Sequence, residues 1–352
     1  HIVGFVERGG NGADGAEKFF DNYLRENKDP LQLSLDSRIQ SVFYDQLSLA
    51  MQKYQSNSAM GMLINSRTGE IIAIVSLPDY DPENRNIDPT KNRMFMPMRG
   101  VFEMGSIFKI FNTAMAYENG IDHEYYIAKP YKILDKFGRT AATISDISSF
   151  KPPRPNLSVA EIMLHSCNVG SAQIALDLPE GTQPEFFKRI HMDDALNLEF
   201  GRTEKPLWPA KWGPVEKATV AFGHGIAVTP MHVLLAVNSM INGGIYIYPT
   251  LHKRGIGVVQ GERVISPEIS SRLREITFRI AEETSGKQAK IPGIDIGGKT
   301  ATAEKRVNGK IDKKKNLTAF VCAFPIEAPQ YTILIVLDEP KGKPETFGLR
   351  TA

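Results

Sequence analysis

Gly105-Ser106-Ile107-Phe108-Lys109-Ile110-Phe111 opens a run that is apolar nearly all round, with Ile107, Phe108, Ile110, Phe111, Ala114, Met115 and Tyr117. A helix of that kind belongs in a core rather than on a surface. The run continues through Ala116 and stops at Glu118-Asn119-Gly120, where Gly120 is placed to take the left-handed conformation that ends a helix. Lys109 therefore sits where a charge is costly, with Ser106 one turn earlier on the same face. A hydroxyl at a helix N-terminus beside a buried lysine has the makings of an activated nucleophile. Taken alone, Ser-x-x-Lys is too short to exclude a capping serine and a lysine that reaches water.

On the N-terminal side of this helix, 60–65 and 70–77 predict two strands joined by Ser66-Arg67-Thr68-Gly69, a short loop that makes a hairpin. Pro78-Asp79-Tyr80-Asp81-Pro82-Glu83-Asn84 closes it in a loop. Earlier, 31–35 alternates as a strand. Asp36 or Ser37 then caps a helix whose expected buried positions are Ile39, Val42, Phe43, Leu47, Leu49 and Ala50. Residues 1–30 form a distinct opening, with a short strand over 2–6, a glycine turn over 9–12 and a helix over 16–24.

On the C-terminal side, the periodicity weakens over 122–158. Ser158 and Glu161 then form a capping box for a helix that reaches His165-Ser166-Cys167-Asn168. Further helices are expected over 171–178, 186–196 and 266–283, and from the cap Thr229-Pro230 to Asn242. Strands return over 294–304, 317–324 and 331–337, and the charged stretch 305–315 around Asn308-Gly309 reads as a solvated hairpin. Strands at both ends with helices between predict an α+β fold. One antiparallel sheet is built from both ends of the chain and flanked by helices, with a helical lobe beside it. The natural site is the cleft between sheet and helices.

Bulk properties exclude several classes. With 42 Lys+Arg against 40 Asp+Glu, the chain lacks the charge imbalance of a nucleic-acid binder. Its two cysteines, Cys167 and Cys322, make neither a disulfide framework nor a metal set. The apolar runs are too short to span a bilayer. The chain begins at His1 without a leader, which points to a trimmed piece of a longer protein, so the lack of an anchor says nothing of the parent.

Three stretches stand in a fixed order: Ser106-Ile107-Phe108-Lys109, Ser166-Cys167-Asn168 and Lys299-Thr300-Ala301. Ser-x-x-Lys, Ser-Asp-Asn and Lys-Thr-Gly are the established motif set of β-lactamases and penicillin-binding proteins, so the match is with a known pattern and not a discovery from spacing. The chain resembles the transpeptidase domain of a class B penicillin-binding protein, of the septal, cell-division type. The likeness extends to Thr68-Gly69-Glu70-Ile71-Ile72-Ala73, to Leu77-Pro78-Asp79-Tyr80-Asp81-Pro82, and to Phe222-Gly223-His224-Gly225-Ile226-Ala227-Val228-Thr229-Pro230. On this basis 31–352 is a β-lactamase/transpeptidase-like, serine penicillin-binding domain, truncated at its C-terminal end. Residues 1–30 are the remnant of a non-catalytic pedestal.

The resemblance implies D,D-transpeptidation of the D-alanyl-D-alanine ends of peptidoglycan stem peptides, and acylation by β-lactams. Ser106 would be the nucleophile, Lys109 its base, Ser166 a proton relay, Asn168 a holder of Lys109 and of the substrate amide, and Lys299 a cation that lowers the affinity of Lys109 for its proton. Thr300 and Thr302 would bind the substrate carboxylate, and the N–H groups of Ser106 and Thr302 would form an oxyanion hole. No metal or organic cofactor is implied. Expected partners are divisome membrane proteins, a glycosyltransferase among them, with no nucleic acid. The place of work is the periplasmic face of the bacterial inner membrane, reached through an N-terminal anchor outside this chain. Two rivals stay open: an inactive member acting as a divisome scaffold, and a β-lactam-hydrolysing or β-lactam-sensing relative. The first is motivated by Ala301, where the family normally has glycine, and whose methyl would press on the packing behind the strand.

Other reactive residues read as structural. His165 adjoins Ser166, but neighbours on a helix do not face each other. His224 lies in a glycine loop, His123-Glu124-Tyr125-Tyr126-Ile127 lacks the second histidine of a zinc-protease helix, Cys322 is a small core residue, and Lys313, Lys314 and Lys315 belong to the solvated hairpin.

Overall fold

Asp36 takes the first capping position: its side chain accepts from Arg38 N, and helix α1 follows over Ser37–Tyr54. Strands β1 (Ser58–Asn65) and β2 (Ile71–Leu77) form the expected hairpin. A single 3-10 turn, Gly105–Ile107, leads into α2 (Phe108–Glu118). Helices α3 (Val159–Leu164), α4 (Asn168–Asp177), α5 (Pro230–Ile241) and α6 (Pro267–Glu283) build the lobe. Strands β3 (Gly297–Val307), β4 (Lys310–Phe324) and β5 (Tyr331–Asp338) complete the sheet. The computed structural model describes residues 2–80, 94–147, 150–254, 259–307 and 310–341.

The sheet has five strands in the order β3-β4-β5-β1-β2, all antiparallel, so β5 from the end of the chain lies against β1 from its beginning. Helix α1 covers one face, with Leu47, Phe43 and Ala50 packed on Ala59, Val75 and Leu337. The lobe covers the other through the main core. Every residue of β2 is buried, although β2 is an edge strand. Its backbone is capped by a side chain: Gln40 donates to Ile74 O at 2.8 Å and accepts from Ile74 N at 2.9 Å. That pairing blocks the edge to further strands. Helix α2 runs through the middle of the lobe, in contact with α3, α4, α5 and α6, and all residues from Phe108 to Tyr117 are buried. The apolar girdle seen in the sequence is the cause.

Several expectations need correction. Residues 31–35 form no strand: Leu33 alone pairs, with His252, while Ser34 Oγ donates to Ile71 O and Thr250 O. The segment ties the start of β2 to the 250–252 region instead of extending a ladder. Val42 and Leu49 are each 58% exposed, because only a narrow stripe of α1 meets the sheet. The 16–24 helix is two, Gly15–Phe19 and Asp21–Glu26, broken at Phe20. The 186–196 helix is Thr182–Arg189. It ends at His191 in the left-handed region (φ 55), with His191 N bonded to Lys188 O and Met192 N to Phe187 O. This is a Schellman stop made without glycine, so it left no mark in the sequence. The weak 122–158 region holds a hairpin, Tyr131–Leu134 with Thr140–Ile144, and a strand pair, Glu124–Tyr126 with Asn156–Ser158. The expected solvated hairpin is the far end of a ribbon, since β3 runs to Val307 and β4 starts at Lys310. Its Asn308-Gly309 turn, the side chains of Lys313 and Lys314, and residues 81–84 of the early loop lie outside the described residues. Lys315 is not fully solvated there: its ammonium lies 3.7 Å from Glu339.

Candidate active site

Ser106 is presented by close approach of three backbones. Gly105 has φ +52, and a Cβ on it would lie 3.0 Å from Thr302 O. Gly223, at φ +79, packs so tightly that its Cβ would lie 2.2 Å from Gly105 O. Only glycine fits either place. The loop that carries Gly223 is fixed to the preceding segment by the Phe102–Val228 bridge and by Gly225 N, which donates to Glu103 Oε1 at 3.0 Å. The motif Phe222-Gly223-His224-Gly225 thus backs the serine turn from behind.

The middle motif is a helix stop followed at once by a helix start. Helix α3 opens on the predicted capping box of Ser158 and Glu161. It ends with Ser166 N bonded to Met163 O and Cys167 N bonded to Ile162 O, a Schellman pair that puts Ser166 in the left-handed region at φ 59. A non-glycine residue held there is strained, which is common where a side chain must be aimed. Cys167 then caps α4, its sulfur accepting from Gly170 N at 3.2 Å. Helix α4 therefore begins at Asn168, three residues before the expected 171.

The three motifs meet on Lys109, which is 1% exposed. Its Nζ lies 3.0 Å from Ser106 Oγ, 2.8 Å from Ser166 O, 3.2 Å from Ser166 Oγ and 2.7 Å from Asn168 Oδ1. Lys299, also 1% exposed, donates to Ser166 Oγ at 3.0 Å and to Thr300 O at 3.2 Å. The two amines thus share one hydroxyl. Burial lowers Lys109 to about 8, against the opposing pull of Asp146 and Cys167. Burial, and then the ammonium of Lys109, push Lys299 well below the ordinary lysine range. The like-charge effect expected on Lys109 therefore falls on Lys299, and burial brings the titration of Lys109 down toward the physiological range.

Strand β3 carries Lys299, Thr300 and Thr302, and its backbone at Thr302 lies beside the Gly105 turn. Thr300 Oγ1 donates to Ser285 Oγ at 2.9 Å. Ala301 points opposite to Thr300 and Thr302, on the face it shares with Lys299: it is 4% exposed, part of the main core and opposite Ala319 on β4. Its small cross-strand partner leaves room for the methyl, so the packing behind the strand is intact.

The sequence reading missed Asp146. It follows the 131–144 hairpin and binds the middle motif twice: Asn168 N donates to Oδ1, and Cys167 Sγ donates to Oδ2 at 3.1 Å. No periodicity or spacing marks it in a single sequence. Ser285 was missed in the same way. The residues set aside do stay apart. His224 bonds Phe222 O and packs on the Phe222 ring, His123 pairs with Asp177 and Tyr125, and among the described residues no hydrogen bond joins the side chains of His165 and Ser166. Cys322 is buried, which pushes its thiol up to about 12. Among the described residues, no cluster of His, Cys, Asp and Glu is placed to hold a metal, and no helix is long and apolar enough to cross a membrane.

A serine on a buried helix start, a lysine one turn on, a Ser-x-Asn turn and a lysine on the edge strand define a serine penicillin-recognising fold. The chain belongs to the penicillin-binding protein transpeptidase domain family, whose model matches residues 59–352. It is 32% identical over its full length to a probable peptidoglycan D,D-transpeptidase FtsI of Caulobacter vibrioides, and 27% identical over 97% of its length to peptidoglycan D,D-transpeptidase FtsI of Escherichia coli K12. It spans 61% of each of those relatives. Among solved structures it is similar to the transpeptidase domain of Burkholderia pseudomallei penicillin-binding protein 3, with a TM-score of 0.78 at 25% identity, covering 91% of this chain and 92% of that one.

Proposed function

We propose that this chain is the catalytic part of a septal peptidoglycan D,D-transpeptidase that works through an acyl-enzyme on Ser106 and is acylated by β-lactams. The observation that carries the reading is the position of Lys109 Nζ, in contact with Ser106, Ser166 and Asn168 together. An ammonium has three protons for these four oxygen contacts. The neutral amine that the mechanism needs has two N–H groups and a lone pair. Its two N–H groups go to the shortest contacts, Ser166 O and Asn168 Oδ1. Its lone pair then faces the hydroxyl of Ser106.

In this mechanism Ser106 Oγ attacks the carbonyl carbon of the penultimate D-alanine while its proton passes to Lys109 Nζ. The oxyanion rests on the N–H groups of Ser106 and Thr302, whose backbones the Gly105 turn holds together. Collapse breaks the C–N bond. Ser166 gives its hydroxyl proton to the departing D-alanine nitrogen and is refilled by the proton on Lys109. An amine of a second stem peptide then attacks the ester by the reverse path, and Ser106 recovers its proton. Thr300 and Thr302 bind the terminal carboxylate, beside Lys299.

Residues 1–30 are the tail of a pedestal, and 31–352 are the transpeptidase domain. The parent protein is anchored in the inner membrane, faces the periplasm and works beside divisome proteins that include a glycosyltransferase. The accommodated methyl of Ala301 supports a working enzyme over an inactive scaffold.

Benzylpenicillin followed by intact-mass analysis tests the reading. One covalent adduct is expected on the wild-type chain and none on Ser106→Ala. An adduct on Ser106→Ala, or none on the folded wild type, overturns it.

A further inference from the structure

The turn after α6 carries a hydroxyl that the scheme above does not use. Thr284 anchors this turn: its Oγ1 donates to Ile280 O at 3.2 Å and to Leu164 O at 3.3 Å on α3, just ahead of Ser166. Gly286 N closes it on Ile280 O at 3.1 Å. Between them stands Ser285, half-buried, with its Oγ 2.9 Å from Thr300 Oγ1. The turn is therefore registered against both the helix that delivers Ser166 and the strand that delivers Lys299.

We infer that Ser285 is a positioning residue for carboxylate recognition, acting through Thr300. This rests on the reading of Thr300 as a carboxylate-binding hydroxyl. In the structure Thr300 donates to Ser285, and among the described residues no hydrogen bond from the Ser285 hydroxyl to an acceptor is recorded. The pair thus holds one uncommitted proton. When an anion arrives, the Thr300 proton turns to it and the Ser285 proton turns to Thr300 Oγ1. The bond within the pair is kept with its direction reversed, and one bond to the anion is added. A hydroxyl that is itself accepting a hydrogen bond is a stronger and better-oriented donor. Capping α6 is left to Thr284, so the Ser285 hydroxyl has no helix carbonyl to serve.

The test compares second-order acylation constants for benzylpenicillin and for its methyl ester, which lacks the anion, by intact mass. Ser285→Ala is expected to slow benzylpenicillin about tenfold, the size of one hydrogen bond, and to leave the ester within about twofold. Ser285→Thr should restore the difference between the two ligands. Ser285→Cys, which keeps the shape with a weak donor, should also lose rate selectively on the acid, and it stands in if the alanine variant does not fold. Equal losses on both ligands mark Ser285 as a structural tie and overturn the inference, as does no loss on either. A wild-type protein that is not acylated overturns the proposed function and this inference with it. Normal wild-type acylation with indifferent Ser285 variants overturns this inference alone.

Discussion

Strand β3 carries Lys299 near one end and Lys305 near the other, and their surroundings differ in kind. Lys305 Nζ lies 2.8 and 3.1 Å from the two oxygens of Asp338 and 2.9 Å from Glu339. Burial alone would lower Lys305, but the bonds from Asp338 and Glu339 outweigh it and hold the ammonium above its ordinary range. Lys299 meets only a hydroxyl and a backbone carbonyl, so burial acts unopposed and lowers it. Lys109 resembles Lys299: its four partners are neutral oxygens, and Asp146 acts on it only at a distance. A buried lysine with a carboxylate in contact is a strut. One surrounded by hydroxyls and amides can release its proton, which a base must do.

Breaking the catalytic side of that comparison should have the largest effect. Lys109→Arg keeps a cation but one too basic to lose its proton, so acylation by benzylpenicillin should fall roughly 10²- to 10⁴-fold. Stopped-flow or mass kinetics would measure it, with circular dichroism to check folding. The distant carboxylate offers a finer adjustment. The reaction needs neutral Lys109, so the acylation rate of the wild type should rise with pH around the Lys109 value of about 8 and level off above it. The charge of Asp146 favours the protonated form. Asp146→Asn should therefore move the midpoint to lower pH, by roughly half a unit to one unit. An unmoved or raised midpoint would show that the charge does not reach Lys109.

On the structural side, Lys305→Met leaves Asp338 and Glu339 without their shared cation. Urea denaturation should show a loss of about 1–2 kcal/mol, discounted for the partial exposure of Lys305, and the acylation rate should stay within about twofold. A large loss of rate with little loss of stability would erase the distinction between the two lysines. The smallest change is expected from Ala301→Gly. It removes a methyl that packs opposite Ala319 and loosens the strand, at a cost of about 0.5–1 kcal/mol in thermal or urea unfolding, with acylation nearly unchanged. A marked gain in acylation would mean that the methyl restrains the site.

The sequence announced whatever rests on local rules. The girdle of α2, the β1–β2 hairpin, the capping box at Ser158 and Glu161, and the cap Thr229 all stand where periodicity and capping chemistry placed them. The three motifs were legible only through the resemblance to a known family, and all three converge on Lys109 and Ser166. What stayed hidden depends on tertiary context. Ser166 and His191 end helices in the left-handed region without glycine, and Cys167 caps a helix in place of the usual hydroxyl or carboxamide. Each is held by neighbours that no local window contains. Asp146 and Ser285 reach the site from irregular segments, where neither period nor motif points to them. Val42 and Leu49 failed for the opposite reason: helical spacing put them near the apolar stripe, but the sheet contacts only its centre.

The most direct test reads the proton on Lys109 itself. A carbon-13 NMR titration of the Lys109 Cε in the Ser106→Ala protein, assigned by comparison with Lys109→Arg, would report its midpoint without interference from acylation. A midpoint of about 8 is expected. A midpoint near the ordinary lysine value of about 10.4 would leave Lys109 charged at working pH and contradict its role as the base.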